Sequence, residues 1–508
     1  MEEAVEKLTP LSWEKGWLAI RQTIRFDKDG KNPEGSSRLV VIEKRVRPKT
    51  LIEQTKAVVL TSLSGGLDIT DGDEDDGLRP YERAERYAED LGRQVAADRE
   101  SLKALLPCLV ENKQGRQGRF GFGLAKASDE PEDLWCALVS AFESIEADAR
   151  GVQILLGFLG GLHEANRPLF EQLLDDALEN PVLSEWVPVL QTCTTVDERG
   201  CDRLMRSLER GVARADKYQY LAYGRAVEQV SDSDMARLAH AIAGKKDGLL
   251  VALEILATHL REKVEAGPAV ASVVRKLMPK VPSAAWRHHQ LDFSFKRLIG
   301  KCMAGPDGEA SAKALLRGLR AGFADYTLSS YDFEQVIAAL FAAHPIAALD
   351  ELVDACEDYP HGFICTLTFE DVHRKNPLDG VPLEMMVAWC WAGSSDRWSL
   401  LASSISAITE GGDQYPTWTE SALELIRQSP EPMKVAHALA CRIVPMSWSG
   451  SRAAIMSKRL PLLEALDSFL DGEGLAVFRK FREDFERQIE RERAREQQER
   501  NPGDNSFE

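Results

Sequence analysis

The sequence predicts an all-α protein: a HEAT-like helical-repeat solenoid with a less regular N-terminal region and a C-terminal capping helix. Three observations predict it. Apolar residues recur at helical spacing through most of the chain beyond residue 80. The periodic segments come in pairs of roughly 30 residues, close to the repeat of helical solenoids, and no fixed consensus letters recur with them. Finally, the 508 residues exceed the roughly 250–300 at which a single core stops growing, so the chain is multi-domain or a repeat array.

The N-terminal region, residues 1–128, is the less regular part. The stretch 12-SWEKGWLAIRQTIRF reads as helix, while 38-RLVVIEKRV is too short to decide between helix and strand. Residues 63–80 are glycine-rich and acidic and read as a loop, and 111-ENKQGRQGRFGFGLAKASDE reads as another because of its glycines. Helical repeats are expected over 129–440. In 131-PEDLWCALVSAFESIE, Leu134, Leu138, Ala141, Phe142 and Ile145 share one face behind Ser128, Asp129 and Pro131. In the next segment, 152-VQILLGFLGGLHEANRPLFEQLLDDALENP is a helix pair turning near Asn166 and closed by Asn180 and Pro181. A further pair follows at 182-VLSEWVPVLQTC and 199-RGCDRLMRSLERG, with Leu183, Trp186, Val187 and Leu190 facing Cys201, Leu204 and Leu208. Helices are then expected near 217–227, 231–243 and 246–262, on both sides of Pro345, and at 383-LEMMVAWCWAG, 397-RWSLLASSISAI, 418-WTESALELIRQS and 431-EPMKVAHALAC. No such helix buries its stripe alone, so neighbours must stack. Residues 441–508 form the cap, where a long helix carries Phe478, Phe481, Phe485 and Ile489 and, beyond Ile489, only charge, which predicts a solvated tail.

Composition disfavours several function classes. Asp and Glu number 81 against 63 Lys and Arg, and the resulting net charge of −18 is a poor match for phosphate backbones, so nucleic acid is not the expected partner. The local cations Arg442, Arg452, Lys458 and Arg459 read as a solvated face. Nine cysteines, none in a CxxC pair, read as reduced thiols of a cytoplasmic protein. The first residues carry no apolar leader, and no run approaches the ~20 apolar residues of a membrane helix.

Near-matches to catalytic motifs fail at the spacings their chemistry requires. Neither 244-GKKDG nor 300-GKCMAG has the upstream glycine and the hydroxyl of a phosphate loop, and 118-GRFGFGLAK is not a dinucleotide fingerprint. Asp71, Asp73, Asp75 and Glu82 imitate a calcium loop but place Asp76 where the turn requires glycine. Asp27, Asp29, Glu43 and Lys44 have the residue types of a metal-dependent nuclease, yet Glu43 and Lys44 are adjacent and read as chance surface charge. The pair His288-His289 lacks the spacing of a zinc motif, and His163, His240, His259, His344 and His437 read as packing or capping residues. No catalytic, cofactor or metal residue is therefore expected.

The C-terminal third carries a more specific order: 376-NPLDGVP, 389-WCWAGSSDRWSLLASSI, 416-PTWTESALELIRQSPEP, 445-PMSWSGSRAAIMSKRLPLLEAL, a charged helix and a final 507-FE. Over residues 376–508 this order resembles the C-terminal helical region of bacterial STAND-type, NACHT-like antiviral defence NTPases. The resemblance implies a protein-binding scaffold or sensor whose partner is an NTPase, an effector subunit or a phage protein. The Walker residues of that family are missing here, which implies a fragment, a chemistry borne by a partner, or an adaptor acting alone. Trp448, Arg452, Trp391 and Arg397 are the expected binding residues. Trp448 has two readings, an indole packed into the last repeat or one that meets a partner. The competing functions are a HEAT-like protein that binds nucleic acid or acts on it as an enzyme, which the sign of charge on the concave face would reveal, and an assembly adaptor unrelated to defence, which neighbouring genes would reveal.

Overall fold

A computed structural model describes residues 14–26, 33–61, 77–111, 115–282, 289–325, 327–328, 333–354, 376–409, 415–445 and 448–500. The protein is all-α: among the described residues the only strands are two-residue segments, Ile408–Thr409 and Thr417–Trp418, paired antiparallel. The chain divides into two compact units, Met1–Ile255 and Leu256–Glu508. Asp71, Asp73 and Asp75 of the calcium-like loop, Asp27 and Asp29, and His288 lie outside the described residues, while Glu82 caps the helix Pro80–Ala96 by accepting the Arg79 N–H at 2.7 Å.

In the first unit the helices are α1 (Glu14–Phe26), α2 (Pro33–Val46), α3 (Leu51–Val59), α4 (Pro80–Ala96), α5 (Arg99–Glu111), α6 (Gln117–Ala127), α7 (Pro131–Ser144), α8 (Gln153–Ala165) and α9 (Arg167–Glu179). They are followed by α10 (Val187–Leu190), α11 (Glu198–Arg210), α12 (Ala215–Tyr218) and α13 (Asp232–Ala243), and α14 (Gly248–His259) runs across the boundary. In the middle of the unit alternate helices pack together, α4 on α6 and α6 on α8 in one layer, α5 on α7 in a second, while α1 packs chiefly on α2 and α3 on α4. Phe120, Leu124, Trp135, Leu138, Phe142, Phe158 and Leu159 fill the space between them.

Local chemistry sets the boundaries. Thr50 and Glu53 form a reciprocal capping box at the start of α3. Asn166 caps α9 by accepting the Leu169 N–H at 3.2 Å, as its position in the sequence predicts. Asn180 ends that helix and accepts from the N–H groups of Val182 and Leu183, both at 2.8 Å. The undecided stretch at 38–46 is helical. The expected helix at 182–193 is instead a 3₁₀ turn, the four-residue α10 and a second 3₁₀ turn, because Pro188 removes a backbone donor. Likewise, 217–227 holds only α12 and a 3₁₀ turn.

The larger correction concerns residues 117–127, read from their glycines as loop. They form α6, at the centre of the first layer, and the glycines are there for close approach. A Cβ at Gly123 would stand 2.0 Å from the Glu89 carbonyl oxygen, and one at Gly92 would stand 2.1 Å from that of Phe120. On the other side, a Cβ at Gly121 would meet the Ile154 oxygen at 2.4 Å, and one at Gly157 the Gly118 oxygen at 1.8 Å. Backbones of α4, α6 and α8 therefore touch directly, and burial offsets the roughly 1 kcal/mol by which each helical glycine disfavours the helix.

The second unit contains α15 (Pro268–Leu277), α16 (His289–Cys302), α17 (Glu309–Ala324), α18 (Glu334–Ala343), α19 (Pro345–Ala348), α20 (Leu383–Trp391), α21 (Asp396–Ala402), α22 (Glu420–Gln428), α23 (Pro432–Cys441), α24 (Arg452–Leu466) and α25 (Gly472–Arg500). Alternate helices again pack together, α16 on α18, α17 on α19, α20 on α22 and α21 on α23. Pro345 separates α18 from α19 as the sequence predicts. Helix α25 lies along α24 and buries Phe478, Phe485 and Ile489, while Phe481 is half-buried against Phe478.

Its charged end is not simply solvated, which corrects the reading of the tail. Glu496 accepts from Ser451 Oγ at 2.6 Å and from the Ala453 N–H at 3.0 Å, and Glu492 pairs with Arg452 at 2.8 Å. The first turn of α24 has no acidic residue of its own, so carboxylates from a later helix satisfy its positive end.

Candidate binding surfaces

The four residues singled out in the sequence form two separate pairs; among the described residues no hydrogen bond, ion pair or ring contact joins one pair to the other. Trp391, at the end of α20, is 58% exposed, with one edge against Trp398 at a centroid distance of 5.2 Å. Arg397 is committed to the fold. It donates to Asp354 Oδ2 from Nε at 3.0 Å and from Nη2 at 2.6 Å, and to the Trp389 carbonyl at 2.9 Å. Its guanidinium also stacks on the Trp389 ring at 4.3 Å. That cation ties α20 and α21 to the turn after α19, leaving Trp391 as the accessible member of its pair.

Trp448 is 48% exposed, and the Arg452 guanidinium lies 4.5 Å from its ring centroid. Arg452 is thus held between an indole face and the Glu492 carboxylate. Of the neighbouring cations, Arg459 donates to the Ile443 carbonyl at 3.0 Å and is half-buried, so only Lys458 fits the expected solvated face.

Glu43 also differs from its reading as surface charge. It is buried, and it accepts from Trp17 Nε1 at 2.6 Å, from Arg47 Nε and Nη2 at 3.0 Å and from Arg21 at 3.4 Å. Burial alone would raise its pKa, but the hydrogen bonds from Arg47 and Trp17 and the charges of Arg47 and Arg21 hold the carboxyl below its ordinary value. It joins α1 to α2, while Lys44 is exposed.

A surface that the sequence reading missed lies on α6 and α8. It is an open groove of about 580 Å³ with Gly118, Gly157 and Gly160 along its floor. Arg119 and Lys126 flank Phe122, at 5.8 and 5.1 Å from its ring centroid. Arg119 pairs with Glu85 at 3.3 Å, Lys126 with Glu164 at 2.8 Å, and the buried Arg116 lies 3.7 Å from Glu85. Burial lowers the Arg116 pKa and Glu85 opposes that shift. On the far side, burial pushes the Cys193 thiol up to about 12, so it is a neutral lining group at physiological pH.

The floor exists because the glycines that let α6 and α8 touch leave backbone, rather than side chains, at their seam. A stripe of small residues was the available signal: Gly118 and Gly121 in one apolar segment, Gly157, Gly160 and Gly161 in the other. Among the described residues no group of three His, Cys, Asp or Glu is placed to hold a metal ion, and no helix is long and apolar enough to cross a membrane. Compared with protein-family models, curated proteins and solved structures, the chain matches none.

Proposed function

We propose that this chain is a HEAT-like helical-repeat scaffold or sensor subunit, without catalysis of its own, that binds a protein in bacterial antiphage defence. Its partner is an NTPase or effector subunit, or a phage protein, met in the cytoplasm. Support for a repeat scaffold comes from helices packing on the helix two places along in both units. Support for the defence setting comes from the order of motifs over residues 376–508.

The observation that carries the binding role is the glycine-floored groove. Its glycine lining leaves room for close contact with another chain, Phe122 provides an apolar anchor, and the paired charges around it supply directional contacts. Gly160 is the position from which to test it. A Cβ there meets nothing nearer than 3.8 Å, so Gly160→Trp fills the groove from a site that accepts a side chain.

The test uses bacterial cells with and without this chain, challenged with a panel of phages. Gly160→Trp should abolish protection at unchanged protein level, and a photo-crosslinking residue at Phe122 should give a discrete protein adduct during infection. Undiminished protection by Gly160→Trp would refute the groove as the binding site. A chain that protects against no phage while still giving the adduct would remove the defence role and leave the scaffold.

A further inference from the structure

The burial of α25 ends at Ile489, yet the helix continues for eleven residues to Arg500. Polar contacts hold this last part to α24. Glu492 bonds Arg452, Arg493 Nη2 donates to Ser457 Oγ at 2.8 Å, and Glu496 bonds Ser451 and the Ala453 N–H. Ser451 is itself the cap of α24, accepting from the Ala454 N–H at 3.0 Å. A segment with charge contacts and little apolar burial opens more readily than the helix that carries it. Its carboxylates are also four residues apart, so both face α24 from one side of the helix.

We propose that residues 490–500 are a detachable latch. When they lift away, Trp448, Arg452 and the first turn of α24 receive in their place a helix of a partner protein that presents two carboxylates four residues apart. The chain's own tail is then a built-in competitor, occupying the surface until a partner with the same chemistry displaces it. Charge complementarity identifies that partner, because the first turn of α24 has no acid of its own, and its Arg452 guanidinium and Ala453 N–H are met by carboxylates that, among the described residues, only the tail supplies. Trp448, half exposed beside Arg452, adds an apolar face to this surface. This inference rests on the binding reading above but uses a different surface.

The experiment uses the full chain and its Glu492→Gln/Glu496→Gln variant, with a fluorescein-labelled peptide of residues 484–500 as the probe. Amide exchange over 490–500 should accelerate at least about tenfold in the variant, with exchange over 117–165 unchanged as the control for folding. The peptide should bind the variant at least about tenfold more tightly than the wild type, and a peptide carrying the same two Gln changes should lose that preference. Equal binding of the peptide to both proteins, or unchanged exchange over 490–500, would overturn the latch. Should the variant fail to fold, the wild type answers alone: raising salt from about 0.05 to about 0.5 M should speed exchange over 490–500 and leave Phe478–Ile489 protected, and an insensitive tail overturns the proposal. Gly160→Trp should leave peptide binding intact, so the latch and the groove fail independently.

Discussion

Replacing Gly157 by alanine should lower the stability of the first unit, although alanine is the better helix former by roughly 1 kcal/mol. The added methyl would stand 1.8 Å from the Gly118 carbonyl oxygen and 2.5 Å from its carbonyl carbon. These are backbone atoms in the middle of a packed layer, so α6 and α8 must separate to admit it. Overpacking of this kind costs about 1–3 kcal/mol, and at a contact this close the upper end applies, leaving a net loss of about 2 kcal/mol. For a unit of this size that corresponds to a fall in Tm of roughly 4–8 °C. Gly160→Ala, one turn further along the same helix, supplies the internal control. Its Cβ has only ordinary contacts at 3.8 Å, so the propensity gain survives and Tm should rise by up to roughly 2–4 °C. Thermal unfolding followed by circular dichroism, with amide exchange over 117–165 to assign the transition to the first unit, measures both. Equal stabilisation by the two substitutions would refute direct backbone contact between α6 and α8.

Three further predictions concern other parts of the chain. Glu43→Gln should cost about 1.5–3 kcal/mol near neutral pH, because it weakens charged hydrogen bonds to Trp17 and Arg47. Since the folded pKa of Glu43 lies below the ordinary 4.5, its contribution is fully present above 4.5 and is lost as pH falls through the folded value; the gap between wild type and variant in urea unfolding should close on acidification, and a gap that widens would be contrary evidence. Arg203→Lys should destabilise the first unit by about 1.5–3 kcal/mol, since the buried guanidinium donates to Asp175 at 2.9 Å, Gln191 at 2.7 Å and Glu171 at 2.8 Å, and a lysine keeps the charge but cannot serve that planar fork; an unchanged urea midpoint would show that an ammonium suffices. Phe478→Ala and Phe485→Ala should each cost about 3–5 kcal/mol, with Phe481→Ala costing less because that ring is half-buried; deprotection should concentrate on residues 452–489, and exchange spread evenly over the second unit would contradict a terminal cap.

Helical periodicity made the all-α class legible, and so were most helices with a clean apolar stripe. The Asn166 and Asn180 boundaries and the Pro345 junction were legible for a stereochemical reason, because these residues act on their own backbone. Residues 117–127 were misread because glycine has two opposite meanings, a chain free to turn and a chain pressed against another, and only the partner segment distinguishes them. The groove was lost with that helix. Arg203 and Glu43 were opaque for a related reason: a charge is buried only if its partners arrive, and those of Arg203 come from as far as 32 residues away. The charged end of α25 looked solvated because its ligands, Ser451 and the Ala453 N–H, belong to another helix.

The seam between α4, α6 and α8 has a consequence for how this protein tolerates change. In an ordinary core, a side chain altered on one helix is accommodated by a neighbour that moves or trims itself. Where main chain rests on main chain, no such neighbour exists, and the spacing between helices is fixed by peptide geometry. Gly92, Gly121, Gly123 and Gly157 are therefore specified by the absence of atoms, and a second substitution elsewhere cannot restore what an added methyl removes. Diversification of the chain should spare these positions while it freely alters Arg119, Phe122 and Lys126 above them. Partner preference can then drift on a support that does not.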